Sequence, residues 1–234
     1  MRGRVPPRPL KEIGGACVRV FLDKGYRTAG ITDVAKALGL SHGAIYTYAD
    51  SKQALLYLAL VRVLEPEALE TMDLPVKLPE PDRIVATVDR WAARQSGLDL
   101  LTEPPRRPDP GGAEQELGEV VEQIYDFIDK NRVILRLFER CSEDLPVLTQ
   151  WYFVERRRGL LAALGEFLNA RIEAGLLRPV PDVPTAARFI VETIAWFAMH
   201  RHGDPDSAML TDEDCRRTVR HLVPAAFLPS GEPR

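Results

Sequence analysis

Cysteine is scarce: Cys17, Cys141 and Cys215 lie far apart in 234 residues, with no Cys-x-x-Cys pair. Their odd number and wide spacing argue against a disulfide framework or a thiolate zinc site and leave each as a small core hydrophobe. Long apolar runs are also missing. Nothing reaches the roughly 20 residues that a membrane-spanning helix needs, and the basic opening around Arg2 and Arg4 has no apolar segment behind it. Neither a span nor a signal peptide is expected, and the cytoplasm is the default compartment. The chemistry-bearing motifs are absent as well: no paired carboxylates, nucleophile elbow, phosphate loop or His-Glu-x-x-His. An all-helical enzyme therefore has little to support it, and no cofactor is implied. The stretch His200-Arg201-His202-Gly203-Asp204-Pro205-Asp206 holds two imidazoles and two carboxylates, but Gly203 and Pro205 mark a helix end, where histidines suit the dipole. No metal site is assigned there.

What is present is an ordinary globular composition, 45% hydrophobic and 28% charged, in a chain long enough for one large domain or two modest ones. The net charge of −3 hides an asymmetry. Residues 1–65 hold ten Lys or Arg against five Asp or Glu, a balance of +5, and the remainder holds 21 against 29, a balance of −8. A basic quarter on an acidic remainder fits one surface for phosphates and another for something else.

The basic quarter holds the most informative stretch, residues 30–52. Ile31, Val34, Ala35 and Leu38 fall at helical spacing, Gly39 supplies a left-handed position that ends a helix, and Ser41 is a good N-cap for a second helix from His42 to about Tyr48. Two helices about a glycine-containing turn make the helix-turn-helix pattern, whose second helix can lie in the DNA major groove. Before it, a helix from Leu10 to Lys24 carries Leu10, Ile13, Cys17, Val20 and Phe21 on one stripe and is ended by Gly25. After it, Asp50-Ser51 caps a fourth helix running to about Val63.

Ala16, Phe21, Gly25-Tyr26, Ile31, Val34-Ala35, Gly39-Leu40-Ser41, Gly43, Ile45-Tyr46-x-Tyr48, Ser51-Lys52 and Leu55 form one pattern across some fifty residues. Residues 10–60 thereby resemble the N-terminal domain of the TetR family of transcriptional repressors. The resemblance implies an all-α homodimer. A three-helix helix-turn-helix DNA-binding domain (residues 7–66) would read operator DNA, and a helical domain (residues 67–234) would dimerise and bind a small ligand. The chain departs from the family at two places. Ala29-Gly30 stands where Thr-Thr is common, which removes a hydroxyl that caps the first motif helix and touches a phosphate; Thr28 or Thr32 is left to supply one. Ala49 stands where an aromatic residue often closes the core.

On the second helix Ile45 and Tyr48 turn inward, so His42, Gly43, Ala44, Tyr46 and Thr47 are candidates for facing DNA. Ala44 can meet a thymine methyl, and His42 or Thr47 can hydrogen-bond a base edge. Gly43 costs on the order of 1 kcal/mol relative to alanine, a cost that close backbone approach to DNA would justify, with simple helix fraying as the alternative. Tyr46 and Tyr48 resemble family residues whose phenols reach the phosphate backbone, against core packing as the alternative. Lys52 begins the fourth helix, where the dipole disfavours a cation unless a phosphate binds beside the free amides. The DNA-binding set is thus Thr28, Gly30, Thr32, Ser41, His42, Gly43, Ala44, Tyr46, Thr47, Tyr48 and Lys52.

Beyond residue 66 the pattern predicts a Pro-broken connector over 74–81 and a helix from about 82 to 97. Residues 102–112, with four prolines and two glycines, form a loop, either exposed or a lid over a cavity. Helices follow over about 114–131, 133–141, 146–174, 185–199 and 212–227, the last capped by Thr211. In the family, helices corresponding to 145–174 and 185–199 pair with their copies. Trp91, Tyr125, Phe138, Trp151, Phe153, Trp196 and His200 are candidates to line an apolar ligand pocket, with core packing as the alternative. The reading is a dimeric, sequence-specific repressor, released from a palindromic operator by a small apolar effector. A constitutive DNA-binding adaptor without ligand is the alternative, ahead of an enzyme.

Overall fold

A computed structural model describes residues 8–95, 112–141 and 144–229. Among them the regular structure is all helical, and no helix is long and apolar enough to cross a membrane. The loop expected over 102–112, including any lid, lies almost wholly outside the described residues. Contacts divide the chain into two units, one of residues 1–95 and 133–152, the other of residues 96–132 and 153–234.

In the first unit α1 (Leu10–Thr28) buries Ile13, Ala16, Cys17, Val20 and Phe21 on one face. Gly25 interrupts it with φ 72°, and Gly39 ends α2 (Ile31–Ala37) with φ 65°, both in the left-handed region that glycine occupies without steric cost. Next come the short α3 (His42–Ile45) and α4 (Lys52–Leu64). Residues 54 to 61 of α4 are all buried, the pattern of a helix enclosed on every side rather than lying on a surface. It crosses α1 so closely that a Cβ at Gly14 would lie 2.9 Å from Arg62 Cβ.

The connector after α4 folds back on the N-terminal helices. Ala49 and Val76 form an isolated parallel bridge, with Val76 N–H donating to Tyr48 O at 2.8 Å and Asp50 N–H to Val76 O at 3.1 Å. Both side chains are buried. Helix α5 (Pro81–Ala93) is tied to the end of α4 by Arg90, whose Nε and Nη2 reach the Glu65 carboxylate at 2.8 and 3.0 Å. The same unit includes most of α7 (Arg132–Cys141) and the helical turn α8 (Pro146–Thr149).

Residues 146–174 do not form the single regular helix that their spacing predicts. The turn α8 passes into a π-helical stretch, Gln150–Arg157, before α9 (Arg158–Glu173) resumes. The wider turn accommodates two consecutive bulky residues that are both buried. Trp151 donates its Nε1–H to Asp89 at 2.8 Å, and the Tyr152 ring lies tilted against Phe138 with centroids 5.1 Å apart.

The second unit packs α6 (Ala113–Lys130), α9, α10 (Val183–Ala198) and α11 (Asp212–Ala225) around Leu117, Ile124, Leu164, Leu168, Ile190, Ile194 and Val219. Arg171, on α9, is fully buried; it binds Glu116 through Nε at 3.1 Å and Nη2 at 2.5 Å and lies over the Phe167 ring. Arg216, on α11, pairs with Glu122 and Asp126 and covers Tyr125. All three cysteines are buried and unpaired with one another. Burial pushes the Cys17 thiol up to about 12 and Cys141 to about 11, which keeps both protonated and unreactive.

Candidate nucleic-acid interface

The start of α2 compensates for its missing hydroxyl. Gly30 donates its N–H to Asp33 Oδ2 at 2.8 Å, the carboxylate half of a capping box, and Asp33 N–H returns to Gly30 O at 3.0 Å. Lys24 binds the other carboxylate oxygen at 2.7 Å. Hydrogen bonds from Lys24 and Gly30 hold the Asp33 carboxyl below the usual carboxylate range. This arrangement escaped the sequence reading, although an acid three residues after the cap is a local signal that could have found it.

Ser41 caps α3 as expected, its Oγ accepting from Ala44 N–H at 3.3 Å. The α-helical part then stops at Ile45, short of the Tyr48 boundary predicted, and the chain continues in tighter turns. Thr47 and Tyr48 N–H bond three residues back, to Ala44 and Ile45, and Thr47 Oγ1 also donates to Ala44 O at 2.8 Å. Ile45 and Tyr48 are buried, while Ser41, His42, Gly43, Tyr46 and Thr47 are exposed and Ala44 is half-buried. Within this face His42 Nδ1 and Thr32 Oγ1 are 3.1 Å apart, and the His42 and Tyr46 rings meet edge to face at 5.5 Å. A methyl at Gly43 would meet nothing within 4 Å. Tyr48 points the other way, its hydroxyl accepting from Arg8 N–H at 2.8 Å.

Lys52 is the first residue of α4, with Ser51 capping through Oγ to Ala54 N–H at 3.1 Å. Its Nζ lies 3.3 Å from Arg27 O and 4.3 Å from the centroid of the Tyr26 ring. The ammonium is therefore held against the C-terminal end of α1, where a helix dipole favours a cation. Thr28 is exposed beside it. Arg140 Nη1 donates to Asp23 O at 2.9 Å, and Arg27 Nε is 3.7 Å from Asp144 Oδ1. Arg27 was not among the residues singled out from the sequence. Its partner lies more than a hundred positions away, so no local pattern could reveal the pair.

A model of the bacterial regulatory proteins of the tetR family matches residues 15–57, from within α1 to within α4. Residues 15–57 thus carry a tetR-type helix-turn-helix. No curated protein matches the chain. Among solved structures, the ketosteroid transcriptional regulator KstR2 of Mycobacterium tuberculosis is similar over 97% of this chain and 98% of its own, at 17% identity and a TM-score of 0.56. A tetR-family regulatory protein from Rhodococcus RHA1 gives 96% and 99% coverage, 17% identity and 0.55. PfmR from Thermus thermophilus gives 94% and 98%, 22% and 0.50. The all-helical fold of these regulators thus extends over nearly the whole chain.

The seven residues considered for a ligand pocket fall in both units. Trp91, Phe138 and Trp151 pack on one another in the first, with centroids 5.6 to 6.3 Å apart. In the second, Tyr125 is buried under Arg216, Phe153 lies 5.8 Å from the Arg157 guanidinium, Trp196 is partly exposed against Phe197, and His200 is half-buried. A cleft of about 350 Å³ in the second unit is lined by Glu114, Gln115, Gly118, Arg220, His221 and Pro224, none of them in that set. In the His200–Asp206 stretch, buried Arg201 holds Phe197 O and Leu210 O, and Asp204 accepts from Asp206 N–H and Ser207 Oγ.

Proposed function

We propose that this protein is a cytoplasmic, homodimeric repressor that reads a palindromic operator through two copies of the helix-turn-helix and is released by a small apolar effector. The observation that carries the DNA-binding part is the division of residues 41–48: Ile45 and Tyr48 are buried, while His42, Gly43, Tyr46 and Thr47 remain outside. In this reading His42, Ala44 and Thr47 contact bases. Thr28, Gly30, Thr32, Ser41, Tyr46 and Lys52 serve the phosphate backbone, with Gly43 allowing close approach. The buried Tyr48 acts by holding the segment in place. In this reading residues 7–66 form the DNA-binding domain and residues 67–234 the dimerisation and ligand-binding domain.

Dimerisation supplies what one short recognition segment lacks, since two-fold symmetry places two of them on half-sites about one helical turn (~34 Å) apart. The effector would act by favouring a dimer state in which the two no longer match successive major grooves. KstR2, which shares the fold, is named for ketosteroids. The mutual packing of Trp91, Phe138 and Trp151 favours a second reading, a DNA-binding adaptor that needs no ligand.

The test is a mobility-shift assay with purified dimer against the DNA upstream of its own gene. Specific binding at moderate salt is expected. Its absence with correctly dimerised protein counts against the function. Specific binding that no apolar small molecule reverses favours the adaptor.

A further inference from the structure

Among the described residues the Thr32 hydroxyl has one partner, the His42 ring, with Oγ1 and Nδ1 3.1 Å apart. Either group can supply the proton of this bond. A hydroxyl both donates and accepts, and a neutral imidazole carries a proton on one nitrogen and a lone pair on the other. Both residues are exposed, and Thr32 stands in the first turn of α2, on the edge that the proposed function gives to the phosphate backbone. The Tyr46 ring meets His42 edge to face at 5.5 Å and limits its rotation. With Nδ1 turned to Thr32, Nε2 is the ring nitrogen left over, and it has no partner among the described residues.

Resting on the DNA-binding reading above, we propose that Thr32 fixes the tautomer of His42 on DNA and so makes His42 a reader of base amino groups. A phosphate oxygen only accepts hydrogen bonds. Once Thr32 gives its single hydroxyl proton to a phosphate, it has only lone pairs to offer the imidazole. The 3.1 Å contact then holds only with the ring proton on Nδ1, which leaves Nε2 a bare acceptor. In the major groove the amino groups of adenine and cytosine donate to such an acceptor, whereas guanine O6 and N7 and thymine O4 cannot. The chain from phosphate through hydroxyl to imidazole polarises along its length, so the backbone contact and the base contact strengthen one another. Thr32 is thus a positioning residue for specificity, and the distinction that His42 draws is amino against keto.

The experiment is a randomised-site binding selection with wild type, His42→Ala, Thr32→Val and Thr32→Ser. The position read by His42 is the one whose preference His42→Ala removes. There wild type should favour adenine or cytosine over guanine or thymine by about fivefold, the worth of one hydrogen bond to a base edge. Thr32→Val keeps the shape and removes the hydroxyl, so it should lose that preference and keep the rest of the selected site. Thr32→Ser restores a hydroxyl and should regain it. The second measurement is long-range proton–nitrogen NMR of histidine-labelled wild type on the selected duplex, with the His42 signal assigned by its loss in His42→Ala. It should show a proton on Nδ1 and none on Nε2. A preference for guanine or thymine, no preference that depends on His42, a preference unchanged in Thr32→Val, or a proton on Nε2 each overturns the proposal. A wild-type chain that enriches no sequence overturns the DNA-binding reading itself, a failure visible before any variant is compared.

Discussion

Gly43 sits in the four-residue α3 where any larger side chain would have room, since a methyl there would meet no atom of the protein within 4 Å. Packing therefore gives no reason for a glycine. Gly43→Ala should raise stability by about 0.5–1 kcal/mol in urea unfolding, through helix propensity and a less free unfolded chain. If the backbone approaches DNA here, the same variant binds operator severalfold more weakly. Higher stability with unchanged affinity would remove Gly43 from the interface. His42 calls for a different measurement. Joined to Thr32 across α2 and α3 and set edge to face against Tyr46, it is positioned rather than free to rotate. His42→Ala should therefore alter the preferred sequence in a randomised-site selection, while a lost phosphate contact would weaken all sequences alike. At this scale much could be read directly from the chain. Gly25, Gly39 and Ser41 announce their roles because turn and cap chemistry is local. The partners of Arg27 and Trp151 are settled by tertiary packing, about which spacing along the chain is silent.

Between elements, the joint most open to test is the one between α4 and α5. The Glu65 side chain is 16% exposed and receives two hydrogen bonds from Arg90, which hold its carboxyl below the usual carboxylate range although burial opposes the shift. Because the folded state favours the charged form, this pair stabilises the fold above the ordinary Glu range. The contribution fades as pH falls through the lowered value. Glu65→Gln should cost about 1 kcal/mol at neutral pH, a modest figure because Arg90 is half exposed, and the gap from wild type should close below roughly pH 4 in thermal melts. A constant gap across that range would show that shape rather than charge joins the helices. The helices themselves were largely legible, because apolar spacing marks α1, α6 and α10 plainly. The π-helical stretch was not. Its apolar residues satisfy a helical period, and the demand that both Trp151 and Tyr152 be buried comes from Asp89 on α5 and Phe138 on α7.

For the whole molecule, the second unit leaves Phe189 and Trp196 of α10 and Leu222 of α11 exposed to solvent at 53%, 37% and 58%. Phe189 and Trp196 are large apolar groups on one of the helices expected to pair in a dimer, and a monomer gains nothing by exposing them. Phe189→Glu should shift sedimentation equilibrium toward monomer and lower operator affinity at least roughly tenfold, since each half alone reads too little sequence. A variant that stays dimeric would place the interface elsewhere. The tryptophans add a practical consequence. Trp91 and Trp151 are buried with ring centroids 6.3 Å apart in the first unit, whereas Trp196 stands partly in solvent in the second. The chain thus carries two unlabelled optical reporters: an indole pair whose near-ultraviolet dichroism tracks the first unit, and a solvent-facing indole whose iodide quenching tracks the second. Unfolding of the two units can be timed separately in a single cuvette.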